Sequence, residues 1–247
     1  MWLKESEEER KIHVAVEKVS NWIISKLKDN GLLTLYLAGT IMDRDERVAT
    51  SDIDFFAIVS SDFDINKERE YNAVLSSKRM ELCEGYECRI RFFPLCSLQG
   101  GEIKGVLNVL KPERIVQKLP FYKILWGKKW NYKEDFIEPM ALKNEAKLLI
   151  TQIKVSIRHI KSGQEKFALT YFPKLVIELV RVEAQIFHNF EYHPGRKKLA
   201  EHLSEDKEHI VHKAMELRNK DMTREELLIF VQEVEQYISD LQDQINQ

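Results

Sequence analysis

The sequence predicts an α+β protein, with an N-terminal mixed sheet and flanking helices followed by a C-terminal all-helical bundle. Two observations support this. Short apolar runs of strand length occur only in the first half of the chain, and apolar stripes with helix period fill the second half. The pattern changes near Pro139. We therefore expect one domain over 1–138 and a helical domain, for substrate or partner binding, over 139–247.

The first half alternates helices with strands. Apolar residues recur every three or four positions over 8–29, which predicts an amphipathic helix closed by Asn30-Gly31. The further predicted elements, in chain order, are strands at 32–38 and 53–59, a helix at 67–82, a strand at 86–93 that Pro94 ends, a short helix from Pro112 and a strand at 121–127.

The second half reads as helices throughout. Helical periodicity covers 142–160, 175–190, a short segment through Leu199, 211–217 and 227–241. The segment 167–172 has no clear period, so we predict a connector there.

Length and composition indicate a soluble globular protein. The chain has 247 residues, of which 44% are hydrophobic and 32% charged, and its net charge is −2. This charge does not favour wrapping nucleic acid, and no apolar run is long enough to cross a bilayer. The N-terminus is too acidic for a secretory signal, so the expected location is the cytoplasm, without membrane attachment.

The most informative stretch joins the first two predicted strands. Asp52 and Asp54 lie at the start of the second strand and share one face, because side chains alternate along a strand. Two neighbouring carboxylates repel each other unless a cation lies between them, and hard oxygen ligands suit Mg²⁺ carrying nucleotide phosphates. Gly39-Thr40 ends the first strand, where a residue without Cβ lets a phosphate approach the backbone amides.

These residues resemble a known family. Gly39-Thr40, the spacer and the segment Ser51-Asp52-Ile53-Asp54 are similar to the Gly-Ser…Asp-x-Asp/Glu motif of the nucleotidyltransferase superfamily that includes DNA polymerase beta. Within it, the chain resembles the kanamycin and streptomycin nucleotidyltransferases and the minimal nucleotidyltransferases. The resemblance implies a nucleotidyltransferase-type sheet, and an all-helical second half fits the drug-modifying members.

The resemblance also implies an activity and residue roles. Members use Mg²⁺ and a nucleoside triphosphate, here with ATP as the first candidate, and transfer the nucleoside monophosphate to an acceptor hydroxyl with release of pyrophosphate. We expect a small-molecule acceptor. Asp52 and Asp54 would be catalytic metal ligands, Gly39 and Thr40 would bind the phosphates, and Ser51 would assist them.

The third carboxylate of the family motif is not clearly present. The resemblance places it on the later strand, where the best match is Arg89. Glu87 lies two residues earlier and so on the same strand face. Either Glu87 is the general base and third ligand, or the third carboxylate is missing. In the second case the chain would be a slow or silent nucleotidyltransferase-fold binding protein, or an antitoxin-like regulator.

A different class of function is the third alternative. Arg181 and His188 are two helical turns apart on a predicted helix, a spacing similar to the Arg-x(4-6)-His motif of HEPN helical domains. Some members of that family cut RNA with this pair at a dimer interface. A homodimer is therefore left open. The competing interpretation is an exposed pair on an amphipathic helix.

Overall fold

The computed structural model describes residues 6–39, 52–99, 112–129, 139–218, 220 and 222–246. The chain divides into two compact units, Met1–Lys133 and Glu134–Gln247. The domain boundary was predicted between 138 and 139. Residues 130–138 lie outside the described residues, so this boundary stays a prediction. Among the described residues, no helix is long and apolar enough to cross a membrane.

The first unit begins with a capped helix. Helix α1 spans Glu7–Leu27, close to the predicted 8–29, and Ser6 is its N-cap. The Ser6 hydroxyl accepts from the Glu9 N–H at 3.1 Å, and the Glu9 carboxylate accepts from the Ser6 N–H at 3.0 Å. This reciprocal pair satisfies two backbone donors that the helix itself leaves unpaired. The apolar stripe of α1 is buried against the sheet.

A four-stranded mixed sheet forms the centre of the first unit. The strands are β1 (Leu32–Ala38), β2 (Ile53–Val59), β3 (Cys88–Pro94) and β4 (Lys123–Gly127). Their spatial order is β3-β2-β1-β4. Strand β1 runs antiparallel to β2 and β4, whereas β2 and β3 are parallel. The predicted mixed sheet and its four strands are confirmed: β1 and β2 have the predicted ends, and the ends of β3 and the start of β4 are shifted by one or two residues.

The two faces of the sheet bury different clusters. Ile53, Phe55 and Phe92 belong to the larger cluster, which includes the stripe of α1. Phe56 and Phe93 lie on the opposite face, where their rings stack 4.9 Å apart within a smaller cluster. Because side chains alternate, every odd β2 residue faces the larger cluster and every even one faces the smaller cluster. Asp54 therefore lies on the face of the smaller cluster, and so does Asp52 by the same alternation.

Two helices precede β3, although the sequence predicted a single helix there. Helix α2 covers Lys67–Ser77 and α3 covers Arg79–Leu82. They are separated by Lys78, whose backbone (φ −103°, ψ 25°) leaves the helical region. The single helix predicted over 67–82 is therefore wrong at Lys78. A one-residue break of this kind does not show in the spacing of apolar residues on which the prediction relied.

Strand β3 is an edge strand, and α2 supplies hydrogen bonds to its outer side. The Asn72 side chain accepts from the Ile90 N–H at 2.9 Å and donates to the Ile90 carbonyl at 2.8 Å. The Glu68 carboxylate accepts from the Phe92 N–H at 2.9 Å. These bonds occupy backbone groups that an edge strand otherwise presents to solvent.

The remaining elements of the first unit are short. Helix α4 spans Leu95–Leu98 and α5 spans Pro112–Lys118, followed by a 3-10 turn at Leu119–Phe121. Ile115 and Leu119 are buried in the smaller cluster, on the same sheet face as Phe56.

The second unit consists of helices. They are α6 (Pro139–Lys161), α7 (Glu165–Phe187), α8 (Arg196–His202), α9 (Ile210–Arg218) and α10 (Arg224–Asn246). Together with the sheet of the first unit, they confirm the predicted α+β class with a helical C-terminal region. The connector predicted at 167–172 is wrong, because α7 runs through it with Pro173 in its interior. A helix that is apolar on several faces shows no single stripe in the sequence.

Removal of the Asn72 side-chain amide should destabilise strand β3. We expect Asn72→Ala to lower the free energy of unfolding by about 1–3 kcal/mol, because it leaves both polar groups of Ile90 without this partner. Urea unfolding measures the change. Asn66→Ala, at an exposed position whose side chain bonds only locally to Asp64, is the matched control. Equal losses in both variants would contradict the role of Asn72.

Burial raises the pKa of the Glu68 carboxyl, more strongly than the Phe92 N–H and the nearby Arg91 lower it. A raised pKa in the folded state means that the wild type gains stability as pH falls toward the ordinary value, and loses it as pH rises through the folded value. Glu68→Gln removes the charge and keeps an oxygen that can accept from Phe92. We expect this variant to be more stable than the wild type at pH 7.

The advantage of Glu68→Gln should shrink as pH falls toward 4.5, which urea unfolding across this range measures. Glu81→Gln, at an exposed position on α3, controls for the loss of one negative charge. A Glu68→Gln variant that is less stable than the wild type at pH 7 would show that the charge on Glu68 is net stabilising.

Candidate functional site

The two predicted metal-binding carboxylates lie on one face of the sheet, at the start of β2. Asp54 is the second residue of β2 and pairs with Ala38, the last residue of β1. Asp52 comes two residues earlier, and the Ile53 side chain between them is buried on the opposite face. The sequence prediction that both aspartates share a face therefore agrees with the strand geometry.

Gly39 brings the end of β1 against Asp54. Its φ of +83° lies in the left-handed region. A Cβ atom at this position would lie 3.2 Å from Oδ2 of Asp54, which is closer than ordinary contact. Glycine therefore serves here both for its backbone conformation and for the room that it leaves beside the carboxylate. Thr40, the other predicted phosphate-binding residue, and Ser51, predicted to assist, lie outside the described residues.

Arg89 stands beside Asp54 on the neighbouring strand. The parallel register of β2 and β3 pairs Asp54 with Arg89, and the Ile53 N–H donates to the Glu87 carbonyl at 2.8 Å. The Arg89 guanidinium donates from Nε to the Glu87 carboxylate at 2.9 Å and forms a second, ion-pair contact with the same oxygen through Nη2. Its Nη1 lies 3.7 Å from Oδ2 of Asp52.

One guanidinium therefore lies beside both Asp52 and Glu87. The side chains are partly exposed, at 35% for Asp52, 38% for Arg89 and 54% for Glu87, so solvent and ligands reach them. The formal charge of the group formed with Asp54 is −2, from three carboxylates and one guanidinium. Without Arg89 it would be −3, and mutual repulsion would be larger.

Two buried thiols lie behind the carboxylates. Cys88 pairs with Ile53 and contacts Cys83, and all three cysteines of the chain are free thiols. The hydrogen bond with Cys83 raises the pKa of the Cys88 thiol well above its usual range, and burial adds to the effect. Cys88 therefore stays a neutral thiol and adds no charge behind Asp54.

The comparison with solved structures concerns the fold of the chain. A spectinomycin adenyltransferase from Enterococcus faecialis, crystallised with ATP and spectinomycin, matches with a TM-score of 0.56 over 95% of this chain and 99% of that chain. The chain has the nucleotidyltransferase fold. Only 11% of the residues are identical, so this likeness establishes the fold alone. No protein-family model and no curated protein matches at the level of sequence.

The donor set of this nucleotidyltransferase fold suits one Mg²⁺ better than two. Asp52 and Asp54 offer oxygen ligands, and Mg²⁺ is commonly held by one or two carboxylates together with substrate phosphates. Glu87 is not grouped with them among the described residues, and its Oε1 atom is engaged by Arg89. Within the described parts of the chain, no group of three or more His, Cys, Asp or Glu residues could hold a metal ion.

The two residues proposed for RNA cleavage, Arg181 and His188, differ in their exposure to solvent. Arg181 is only 2% exposed, forms an ion pair with Glu178 and donates to the Pro194 carbonyl at 2.9 Å. His188 is the C-cap of α7, and its Nε2 lies 4.0 Å from the Glu183 carboxylate. The interpretation as an exposed pair is wrong for Arg181. An arginine enclosed in this way cannot reach a substrate, which removes the support for an RNA-cleaving site.

The structure also contains a polar cavity of about 820 Å³ in the second unit, which the sequence did not indicate. At one wall the Tyr237 hydroxyl donates to the buried Glu183 carboxylate, and His209 Nε2 lies 3.5 Å from the same oxygen. Burial, and then Glu183, raise the pKa of Tyr237 well above 10. Glu183 lies within the apolar helix α7, and this buried carboxylate is the one sequence signal that could have pointed to the cavity.

The space beside Gly39 can be tested separately from its backbone conformation. We expect Gly39→Ala to destabilise the fold by about 1–2 kcal/mol, the cost of a side chain in the left-handed region, and also to weaken ATP binding by displacing Asp54. Gly163→Ala is the matched control, because Gly163 has a φ of +80° and open space around its Cβ position.

Thermal unfolding and calorimetric titration with ATP and Mg²⁺ separate the two effects. Gly163→Ala should lose comparable stability and keep the ATP affinity of the wild type. If Gly39→Ala also keeps that affinity, the contact with Asp54 does not matter for nucleotide binding.

Proposed function

We propose that this chain is a nucleotidyltransferase that binds ATP with Mg²⁺ and transfers AMP to a hydroxyl group of a small molecule, releasing pyrophosphate. The observation that supports it is the carboxylate pair Asp52 and Asp54, placed beside Gly39 at the end of β1 in a nucleotidyltransferase fold. One solved structure of similar fold is an adenyltransferase crystallised with ATP, which favours ATP as the donor.

In this proposal, each residue of the site has a role in binding or orientation. Asp52 and Asp54 would hold Mg²⁺, which when bound neutralises the charge that develops on the transferred phosphoryl group. Gly39 leaves a gap where a phosphate oxygen can approach the chain without meeting a Cβ atom. The sheet fixes the spacing of these residues, and such positioning is the main contribution of a protein to phosphoryl transfer.

A small, polar acceptor fits the second unit. Its cavity is lined by both acidic and basic side chains, with five carboxylates and two lysines among them: Glu183, Asp206, Glu208, Glu233 and Asp240, with Lys207 and Lys213. The excess of carboxylates suits a hydroxyl-rich molecule that carries amino groups. Spectinomycin, with which the solved relative was crystallised, is therefore a suitable first acceptor to test.

A second candidate function follows from the contact between Arg89 and Glu87. A general base must come within hydrogen-bond reach of the proton that it removes, and Oε1 of Glu87 is engaged by the guanidinium. A chain that binds a nucleotide and turns it over slowly or not at all, as a binding or regulatory protein, is consistent with this contact.

The release of pyrophosphate distinguishes the two functions. The protein is incubated with labelled ATP, GTP, CTP or UTP, with Mg²⁺ and with spectinomycin, streptomycin and kanamycin. We expect release from ATP with at least one acceptor. We also expect Asp54→Asn to reduce it by more than about 100-fold, the upper end of the losses found for outer partners of a metal site. Asp29→Asn, at an exposed site after α1, should retain full activity.

Absence of release from the wild type with every acceptor, combined with measurable ATP binding, would overturn transfer and support the binding protein. Absence of both release and ATP binding would overturn both candidates.

A further inference from the structure

We propose that Arg89 binds the triphosphate of the nucleotide, that Glu87 positions Arg89 for this role, and that Arg89 competes with metal ions for Asp52. The inference rests on the proposed nucleotide site and assigns two residues within it. It replaces the expectation that Glu87 is a metal ligand or general base.

Two contacts of the Arg89 guanidinium differ in strength. Glu87 engages both Nε and Nη2, the side edge of the guanidinium, whereas the contact of Nη1 with Asp52 is 3.7 Å and exceeds hydrogen-bond length. The guanidinium is therefore fixed by Glu87, and Asp52 holds it only by charge. A partner with more negative charge can replace Asp52 while the Glu87 contact stays intact.

A polyphosphate is such a partner. Planar guanidinium groups bind phosphate oxygens with parallel N–H donors, and these charge-assisted bonds are stronger than a long ion pair to a half-exposed carboxylate. Asp52 and Asp54 alone would repel a triphosphate. Because Arg89 is in register with Asp54, it places a positive charge beside the carboxylates that would otherwise keep the nucleotide away.

The same arrangement has a consequence for metals. While Arg89 lies next to Asp52, it lowers the attraction of this carboxylate for a free divalent cation. A nucleotide that draws the guanidinium onto its phosphates exposes Asp52 to the metal that accompanies it. Metal and nucleotide should therefore bind more tightly together than separately.

The test measures anion and metal binding without any turnover. Calorimetry follows inorganic tripolyphosphate in the presence of EDTA, and then Mn²⁺ alone, on the wild type, Arg89→Ala, Arg89→Lys and Glu87→Gln. Arg91→Ala is the matched control, because Arg91 lies two residues further along the same strand face and beside Glu68. Circular dichroism and thermal unfolding establish that each variant is folded.

We expect Arg89→Ala to weaken tripolyphosphate binding about tenfold, the worth of one charge-assisted hydrogen bond, and to strengthen Mn²⁺ binding. Arg89→Lys should retain part of the anion affinity, since it keeps the charge without the planar donors. Glu87→Gln should weaken tripolyphosphate binding severalfold, because the guanidinium loses its strongest anchor. A general loss of structure would not weaken tripolyphosphate binding and strengthen Mn²⁺ binding in the same variant.

Three outcomes would overturn the inference, and they are distinct from failure of the proposed function. One is an anion affinity of Arg89→Ala equal to that of Arg91→Ala. Another is unchanged or weakened Mn²⁺ binding in Arg89→Ala. The third is unchanged tripolyphosphate affinity in Glu87→Gln with loss of pyrophosphate release, as a general base predicts. If the wild type binds neither tripolyphosphate nor ATP, the nucleotide site itself is refuted.

Discussion

The parallel pairing of β2 with β3 is the interaction on which the candidate site depends. Its register places Arg89 beside Asp54 and brings the Glu87 carbonyl to the Ile53 N–H. A slip of one residue would turn Arg89 into the buried cluster and Ile90 toward solvent, so burial of the apolar residues enforces the register. The same hydrophobic pattern that stabilises the sheet therefore also determines which charges meet at its end.

The pairing is supported from outside the sheet. Among the described residues, β3 pairs with a strand on one side, and Asn72 and Glu68 of α2 bond to its other side. This fixes the strand that carries Arg89 and follows Glu87, and it occupies backbone groups that could otherwise associate with another chain. A site on an edge strand can remain open to a ligand and still be held by a packed helix.

Much of the fold could be predicted from local sequence patterns. The strands at Leu32–Ala38 and Ile53–Val59 were predicted at their observed ends, and alternation alone placed Asp52 and Asp54 on one face. The contacts of Arg89 with Asp52 and of Asn72 with Ile90 could not be predicted, because they depend on which distant strands and helices pair. Helix α7 was predicted only from 175 onward, because its earlier segment 167–172 is mostly apolar in sequence and shows no single stripe.

The central claim is that Arg89 moves from Asp52 to the triphosphate. A crystal structure with a non-hydrolysable ATP analogue and Mn²⁺, phased to show the anomalous signal of manganese, tests it directly. We expect phosphate oxygens within hydrogen-bond distance of the Arg89 guanidinium, which still contacts Glu87, and one manganese ion bound by Asp52 and Asp54. A triphosphate that leaves Arg89 on Asp52, or a second manganese ion bound by Glu87, would contradict the claim.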